Sequence, residues 1–314
     1  MTITQEPISG RRCVVLGAGG FIGTNLCRRL SEAGALVTGF GRRPHAVNAT
    51  FAQCWVDGEF DDERAVARAL ADAEIVFHLL GGSDPATSNR DPATALQRAL
   101  ASNLMLIAAA TKAGVRKLVF VSSGGTVYGP PAQLPITEGA LTDPISAYGL
   151  DKLLMEKLLG LYRLIDGLDY VILRVSNPYG PFQRPNRAQG IVATILKRAL
   201  DNEPVEIWGD GSVIRDYLYV DDVCDALIAA SVTSSESRLF NIGSGIGRSL
   251  NDVVSSISHV IGVDIQVNYR SARAADIPIN ILQCDRARDS LNWKPRVEWQ
   301  DGIRASAVWI AENP

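Results

Sequence analysis

A glycine-rich turn near the start of this 314-residue chain constrains its fold more than any other feature. Gly17, Gly20 and Gly23, with Phe21 and Ile22 among them, follow the apolar run RCVVL and open a helical pattern. Glycine allows the tight turn and lets the backbone approach a pyrophosphate at the helix N-terminus, where unpaired N–H groups carry partial positive charge. The spacing therefore predicts a β-α unit that binds a dinucleotide through these residues.

The alternation of strand and helix continues beyond this unit. The apolar runs ALVTGF, EIVFHLL, LVFVSS and YVILRV each fit a buried strand, and residues 147–163 fit an amphipathic helix before the last of them. Strands that are separated by helices form parallel sheets, because each crossover brings the chain back in the same direction. The sequence therefore predicts an α/β fold with a doubly wound parallel sheet.

The character of the sequence changes after Asn177, where NPYGPFQRPN is rich in Pro, Gly and Asn. Such a segment predicts a loop that leaves the sheet and opens a second, smaller region. We therefore predict a dinucleotide-binding domain of residues 1–176, to which residues 213–242 return, and a substrate-binding domain of residues 177–212 and 243–314.

Composition excludes several kinds of partner. The 31 basic and 34 acidic side chains leave a net charge of -3, which is not the basic footprint of a nucleic-acid-binding protein. No stretch approaches the roughly 18 apolar residues of a membrane-spanning helix, and the start of the chain lacks a secretory signal pattern. The five cysteines are scattered and form no C-x-x-C pair. We therefore expect no metal site, no nucleic-acid or membrane partner, and a cytoplasmic protein.

The residues at the end of the second strand affect whether the protein binds NAD or NADP. An acidic residue there would hold the adenosine ribose hydroxyls, but this chain has Gly41, Arg42 and Arg43. An arginine pair can hold a 2′-phosphate, so the sequence allows NADP; two solvated loop arginines fit the pattern nearly as well. Glu59 and Phe60, after the third strand, are candidates for the adenine edge, or else a helix N-terminal charge and a core aromatic residue.

Tyr148 and Lys152 are four residues apart on the predicted helix, so their side chains share one face. An ammonium group near a phenol favours the phenolate and lowers a tyrosine pKa that starts near 10. We therefore predict that Tyr148 is a general acid or base whose pKa is lowered by Lys152. Such a pair is common on helices by chance, but its place after a dinucleotide turn and the strand end SSGGTVYG makes it specific.

Together these motifs resemble those of the extended short-chain dehydrogenase/reductases and, within them, the NAD-dependent epimerase/dehydratase family of nucleotide-sugar enzymes. The matching segments are GAGGFIG, FVSSGGTVYG, YGLDK, LRVSNPYGP, WGDGSVIRDYLYVDDV, NIGSG and RAAD, and they extend over nearly the whole chain. The resemblance implies a Rossmann domain with a smaller nucleotide-sugar domain, NAD as cofactor, and a homodimer formed through a helix bundle. It also implies that Tyr148 is the acid/base residue and that Lys152 binds the nicotinamide ribose.

The resemblance assigns the substrate contacts residue by residue. Asn177 lies where the family contacts the sugar diphosphate, and Arg215, Arg273 and Asp276 lie where it holds the phosphates and the uridine ribose. Arginine suits this role because its guanidinium group donates two parallel hydrogen bonds to a phosphate. Without the surrounding motifs, either arginine would be interpreted as a surface salt-bridge residue.

One catalytic position departs from the family pattern. The family has a serine or threonine four residues before the tyrosine of the V-Y-G motif, and that residue is Gly124 here. Ser123 and Thr126 are the nearby hydroxyl groups, and we expect one of them, with Thr126 slightly favoured, to hydrogen-bond the sugar oxygen beside Tyr148. Either could instead bond the backbone at the strand end.

By this resemblance the activity is that of a nucleotide-sugar 4-epimerase, acting through a transient 4-keto sugar on a UDP-hexose such as UDP-glucose, UDP-galactose or their N-acetyl forms. A 4,6-dehydratase is disfavoured, because its relatives carry Asp-Glu where this chain has Gly125 and Thr126. An NADPH-dependent 4-reductase stays open because of Arg42 and Arg43. A dinucleotide-binding protein without activity is a third interpretation, against which the retained tyrosine and lysine argue.

Overall fold

Parallel strands form the centre of the structure, a computed structural model that describes residues 7–42, 51–81, 88–185, 190–271 and 277–313. The strands are β1 Arg12–Leu16, β2 Leu36–Phe40, β3 Cys54–Val56, β4 Ile75–His78, β5 Lys117–Ser123, β6 Tyr170–Val175, β7 Asn177–Tyr179, β8 Val205–Trp208, β9 Ile214–Tyr219, β10 Leu239–Ile242, β11 Gly247–Ser249, β12 Val267–Arg270 and β13 Ile279–Asn280. The helices are α1 Phe21–Glu32, α2 Glu63–Leu70, α3 Pro92–Lys112, α4 Ala147–Asp166, α5 Ile191–Leu200, α6 Val220–Val232, α7 Leu250–Ile261, α8 Asp285–Leu291 and α9 Trp299–Glu312.

The central sheet has seven strands in the order β10-β6-β5-β4-β1-β2-β3, and every neighbouring pair is parallel. Successive residues of a strand point to opposite faces. In β1, Val15 packs in the apolar cluster that includes α1 and α6, while Val14 and Leu16 pack in the cluster that includes α2, α3 and α4. Burial on both faces explains why these strands are continuous apolar runs. The predicted α/β fold with a doubly wound parallel sheet is confirmed.

The strand order determines where a ligand can bind. β2 and β3 lie on one side of β1, and β4 and all later strands of this sheet lie on the other. Ligands of such sheets bind beyond the carboxyl ends of the strands where the order reverses. Gly17 follows β1, Leu80 lies just beyond β4, and Ser123 ends β5, so these residues share that edge.

A second group of elements has its own apolar core. β9 pairs with β7, β11 and β13, and β8 pairs with β12. α5, α7 and α9 contribute Ile195, Val253 and Ile303 to one buried cluster. β10 and α6 belong instead with the central sheet, since β10 pairs with β6 and α6 packs against α1. Of the helices described here, none is both long and apolar enough to cross a membrane.

Candidate active site

The turn between β1 and α1 is shaped by its glycines. Gly17 has a φ of +90°, and its N–H donates to the Phe40 carbonyl at 2.9 Å. A Cβ at Gly23 would lie 2.1 Å from the Gly17 carbonyl oxygen, so no side chain fits there. α1 begins directly after Gly20, with no side-chain cap and no acidic residue in its first turn. Its first N–H groups are therefore available to an anion, which fits the pyrophosphate of a dinucleotide.

The residues predicted beside the adenosine lie at the ends of β2 and β3. The Arg42 Nε is 3.9 Å from the Glu59 Oε1, and both side chains are largely exposed, at 85% and 67%. The ring of Phe60 packs 5.2 Å from the ring of His78, and Phe60 borders the apolar cluster on that face of the sheet. Arg43 lies outside the described residues. Arg42 thus has a carboxylate beside it that lowers the local positive charge.

Tyr148 and Lys152 lie one turn apart at the start of α4, as the sequence predicts. Lys152 is only 4% exposed, and its Nζ lies 5.7 Å from the centroid of the Tyr148 ring and 4.9 Å from that of Phe120. The Nζ donates to the Val121 carbonyl at 3.1 Å and to the Leu80 carbonyl at 3.4 Å. The ammonium group is therefore fixed at the carboxyl edge of β4 and β5.

The prediction that the pKa of Tyr148 is lowered is wrong. Burial, and after it the charge of Asp151, raises the pKa of Tyr148 to about 12. Burial lowers the pKa of Lys152 to about 8, and the charges of Asp151 and Glu156 oppose that decrease. The physical reason is that desolvation disfavours the charged form of both groups, and the lysine head is bonded to backbone carbonyls. Tyr148 is a neutral phenol in this state.

At Gly124, where the family pattern has a hydroxyl-bearing residue, the fold leaves little room for a side chain. A Cβ there would lie 2.5 Å from the Leu282 Cδ1 and 3.1 Å from the Arg174 carbonyl oxygen. The Asn280 Nδ2 donates to the Gly124 carbonyl at 3.1 Å, which holds the two segments together. A residue with a Cβ at this position would therefore need the Leu282 side chain to move, and glycine avoids that contact with the segment around β13.

The two candidate hydroxyl groups differ in their surroundings. Thr126 Oγ1 is enclosed and has no hydrogen-bond partner among the described residues. Ser123 is half-buried, and its Oγ lies 3.9 Å from the point where a Cβ of Gly125 would be. The Asn177 Oδ1 lies 4.0 Å from the same point. The structure therefore brings Ser123 and Asn177 together around an open position at Gly125.

The substrate contacts are described in part. The Asn177 Nδ2 donates to the Asp216 carbonyl at 3.1 Å, which fixes the amide at the start of β7. The Arg215 Nη1 donates to the carbonyls of Ile214 at 2.9 Å and Ile277 at 2.7 Å, so the side chain reaches the segment before β13. Arg273 and Asp276 lie outside the described residues, and their roles stay predictions.

Two buried polar residues near the lysine were not singled out from the sequence. The Asn103 Nδ2 donates to the Asp151 Oδ1 at 3.2 Å, and both residues are 4% exposed. The available signals were an amide within the apolar run LASNLMLIAAA and an acid directly before the lysine of YGLDK. Neither signal identifies the partner, because the pair joins two helices that are far apart in sequence.

Comparison with known proteins confirms the resemblance. A family model described as the NAD dependent epimerase/dehydratase family matches residues 13–243. The UDP-glucose 4-epimerase of Mycolicibacterium smegmatis is 34% identical over 300 residues, which cover 93% of this chain and 96% of that protein. A solved structure of UDP-glucose 4-epimerase with UDP-glucose, from Thermotoga maritima, has a TM-score of 0.91 at 32% identity and covers 96% of this chain and 99% of its own.

A second solved structure, the UDP-glucose 4-epimerase of Thermus thermophilus in complex with NAD, has a TM-score of 0.87 at 29% identity. It covers 96% of this chain and 99% of its own. The family model extends over well more than half of the chain, and the Mycolicibacterium relative matches nearly all of it. This chain therefore belongs to the NAD-dependent epimerase/dehydratase family.

Proposed function

We propose that this protein is a UDP-hexose 4-epimerase that keeps NAD bound through its catalytic cycle. The observation that carries the proposal is the pairing of half-buried Tyr148 with buried Lys152 at the carboxyl edge of β4 and β5. The glycine turn after β1 opens onto the same edge. The relatives from Mycolicibacterium and Thermotoga, named UDP-glucose 4-epimerases, support the substrate class.

The chemistry is a reversible oxidation at C4 of the sugar. NAD held at the glycine turn would supply the acceptor for the C4 hydride and the donor for its return. Tyr148 takes the proton of the C4 hydroxyl as the hydride leaves, and gives it back to the 4-keto sugar when the hydride returns to the other face. Because burial raises the pKa of Tyr148 to about 12, its base form needs positive charge nearby. Lys152 supplies one such charge, and the oxidised nicotinamide ring would supply another.

The test of this proposal is incubation of the purified protein with UDP-glucose or UDP-N-acetylglucosamine and no added reductant. An epimerase forms the C4 epimer, which proton NMR of the anomeric signal detects. A 4-reductase would act on a 4-keto sugar only with added NADPH, and a non-catalytic binding protein would do neither. No epimer from either sugar would contradict the proposal.

The serine at the end of β5 is our candidate for the hydroxyl group beside Tyr148. Ser123 Oγ adjoins the open position at Gly125, whereas Thr126 Oγ1 is enclosed by protein. We expect Ser123→Ala to lower kcat by about tenfold to a hundredfold, the cost of one hydrogen bond to the reacting oxygen. Thr126→Val should change kcat by less than about threefold, since it keeps the shape and loses no hydrogen bond. The reverse ranking of the two kcat values would assign the role to Thr126.

Gly125 leaves room for the sugar. Its φ is ordinary, and a Cβ there would meet nothing closer than the Ser123 Oγ at 3.9 Å. We expect Gly125→Val to lower kcat/KM for the UDP-hexose by about tenfold or more, because the side chain fills space between Ser123 and Asn177. Gly139→Val is the matched control: its nearest atom is also at 3.9 Å, and it lies outside the site. Equal kcat/KM values for the two variants would place the sugar elsewhere.

The cofactor preference follows from the surroundings of Arg42. NAD fits the family, and the Glu59 carboxylate beside Arg42 weakens the attraction for a 2′-phosphate. Gly41 supplies no carboxylate that would repel that phosphate, so we propose that the site holds NAD and discriminates only weakly against NADP. The dinucleotide released on denaturing the purified protein identifies the resident cofactor.

We also propose the assembly and the domain division. The exposed apolar side chains of α3 and α4 suit a homodimer that buries them in a helix bundle, namely Leu100, Leu150, Leu161, Leu164 and Ile165. The division after residue 176 and the return of α6 and β10 to the first domain are supported by the pairing of β10 with β6 and the packing of α6 on α1. Because β9, from Ile214, pairs with β7, β11 and β13 of the second group, we propose that the returning segment begins at α6 rather than at residue 213. The cytoplasmic location stays a prediction from cysteine usage.

A further inference from the structure

A buried hydrogen bond joins α3 to the residue of α4 that directly precedes Lys152. The Asn103 Nδ2, in the middle of α3, donates to the Asp151 Oδ1 at 3.2 Å. Asp151 directly precedes Lys152, and all three residues are 4% exposed. A buried carboxylate has a large desolvation cost unless it is hydrogen-bonded and near a positive charge. The burial of the Asp151 carboxylate, one residue before the buried Lys152, therefore needs an explanation.

The other charged groups around Lys152 do not supply that account. Glu156 lies on the same helix, but Arg174 donates to it through Nε at 2.9 Å and through Nη2 at 2.5 Å. Ser122 Oγ also donates to Glu156 at 2.5 Å, so that carboxylate is already compensated. His78, on β4, is neutral, because burial and the charge of Lys152 lower its pKa to about 3, and a hydrogen bond with Asn103 opposes that decrease without reversing it. The Asn103→Ala substitution therefore leaves His78 neutral.

Asp151 is thus the described carboxylate whose charge acts most strongly in favour of the lysine ammonium. We propose that Asn103 and Asp151 form a positioning pair, in which the amide of Asn103 holds the carboxylate of Asp151 so that the buried Lys152 stays an ammonium ion during the reaction. The inference rests on the proposed 4-epimerase function and deepens it. It names two residues that act through Lys152 and Tyr148 rather than on the substrate.

The sign of the effect follows from the charges. A carboxylate stabilises the protonated form of each nearby group, and Asp151 raises the pKa of Tyr148 as well as that of Lys152. Removing its charge lowers both pKa values. The breaks in the pH profile of kcat then move in the same direction, toward lower pH, whichever of the two groups each break reports.

The test is the pH profile of kcat for UDP-glucose epimerisation by the holoenzyme and its variants. We expect Asp151→Asn, which keeps the shape of the side chain, to displace the whole profile to lower pH by about one to three units. Asn103→Ala keeps the Asp151 carboxylate but removes the amide that holds it in place. We therefore expect a smaller displacement of the pH profile, also to lower pH. The pH profile of the double variant should be displaced no further than that of Asp151→Asn alone, because the two residues act as one unit.

Ser122→Ala is the matched control, since it removes a buried hydrogen bond to Glu156 in the same region without changing a charge. Its profile should keep the wild-type position. A fall of kcat in Asp151→Asn that is equal at every pH would overturn the inference and leave the pair a purely structural role. If Asp151→Asn does not fold, the profile of Asn103→Ala decides, and an undisplaced profile overturns the inference. Wild-type protein without epimerase activity would instead contradict the proposed function.

Discussion

Tyr148→Phe is expected to lower kcat for UDP-hexose epimerisation by at least about a hundredfold, because positioned acid–base groups contribute this much or more. The variant loses one hydroxyl group, which makes no hydrogen bond within the described residues, so packing around the ring should be preserved. The content of bound NAD should therefore stay close to that of the wild type. The measurements are kcat from epimer formation and the dinucleotide released per protein chain.

Tyr162→Phe is the matched control for this experiment, because Tyr162 lies on the same helix α4 but nearly four turns away. Its kcat should equal that of the wild type. If Tyr148→Phe retained activity within about tenfold of the wild type, Tyr148 would not be the group that transfers the proton. A loss of kcat together with loss of bound NAD would show instead that the variant has damaged the cofactor site.

Gly23→Ala should have the largest effect on stability and on cofactor retention. The added Cβ would lie 2.1 Å from the Gly17 carbonyl oxygen and 2.8 Å from the Ala18 Cα, both of which are backbone atoms. The turn or the helix must shift to make room, which costs about 3 kcal/mol at the upper end of typical overpacking. We expect the free energy of unfolding to fall by that amount and the protein to purify without its dinucleotide.

Gly20→Ala is the control for Gly23→Ala, because it adds the same methyl group to the same turn with a less severe contact. A Cβ at Gly20 would lie 3.2 Å from the Gly17 carbonyl oxygen, a tight contact but not an impossible one. Its free energy of unfolding, measured on cofactor-stripped protein, should fall by less than about 1 kcal/mol. Equal stabilities of Gly20→Ala and Gly23→Ala would show that the close approach at Gly23 does not constrain the turn.

The sequence was informative where the physical cause is local. The buried strands are continuous apolar runs because both of their faces are covered. The glycine turn was recognisable because Gly17 needs a positive φ and Gly23 cannot bear a side chain. The pairing of Tyr148 with Lys152 followed from helix periodicity alone. These features led to the correct fold class and to the residues that the structure brings together at the sheet edge.

The sequence was not informative where the cause is a contact between distant segments. The contact between Leu282 and Gly124 depends on the packing of the segment around β13 against the end of β5. The raised pKa of Tyr148 depends on burial and on Asp151, which a motif does not measure. The bond between Asn103 and Asp151 joins two helices through their tertiary packing. Each of these depends on the whole fold.

The contact between Gly124 and Leu282 has a consequence for how related sequences can change. A serine or threonine at the position of Gly124 would place its Cβ within 2.5 Å of the leucine methyl group. A chain that carries the hydroxyl group there needs a smaller or displaced residue at the position of Leu282. The two positions should therefore co-vary among relatives. Where the hydroxyl-bearing residue stands at a different position of this strand end, we expect a matching substitution at the position of Leu282, more than 150 residues later in the chain.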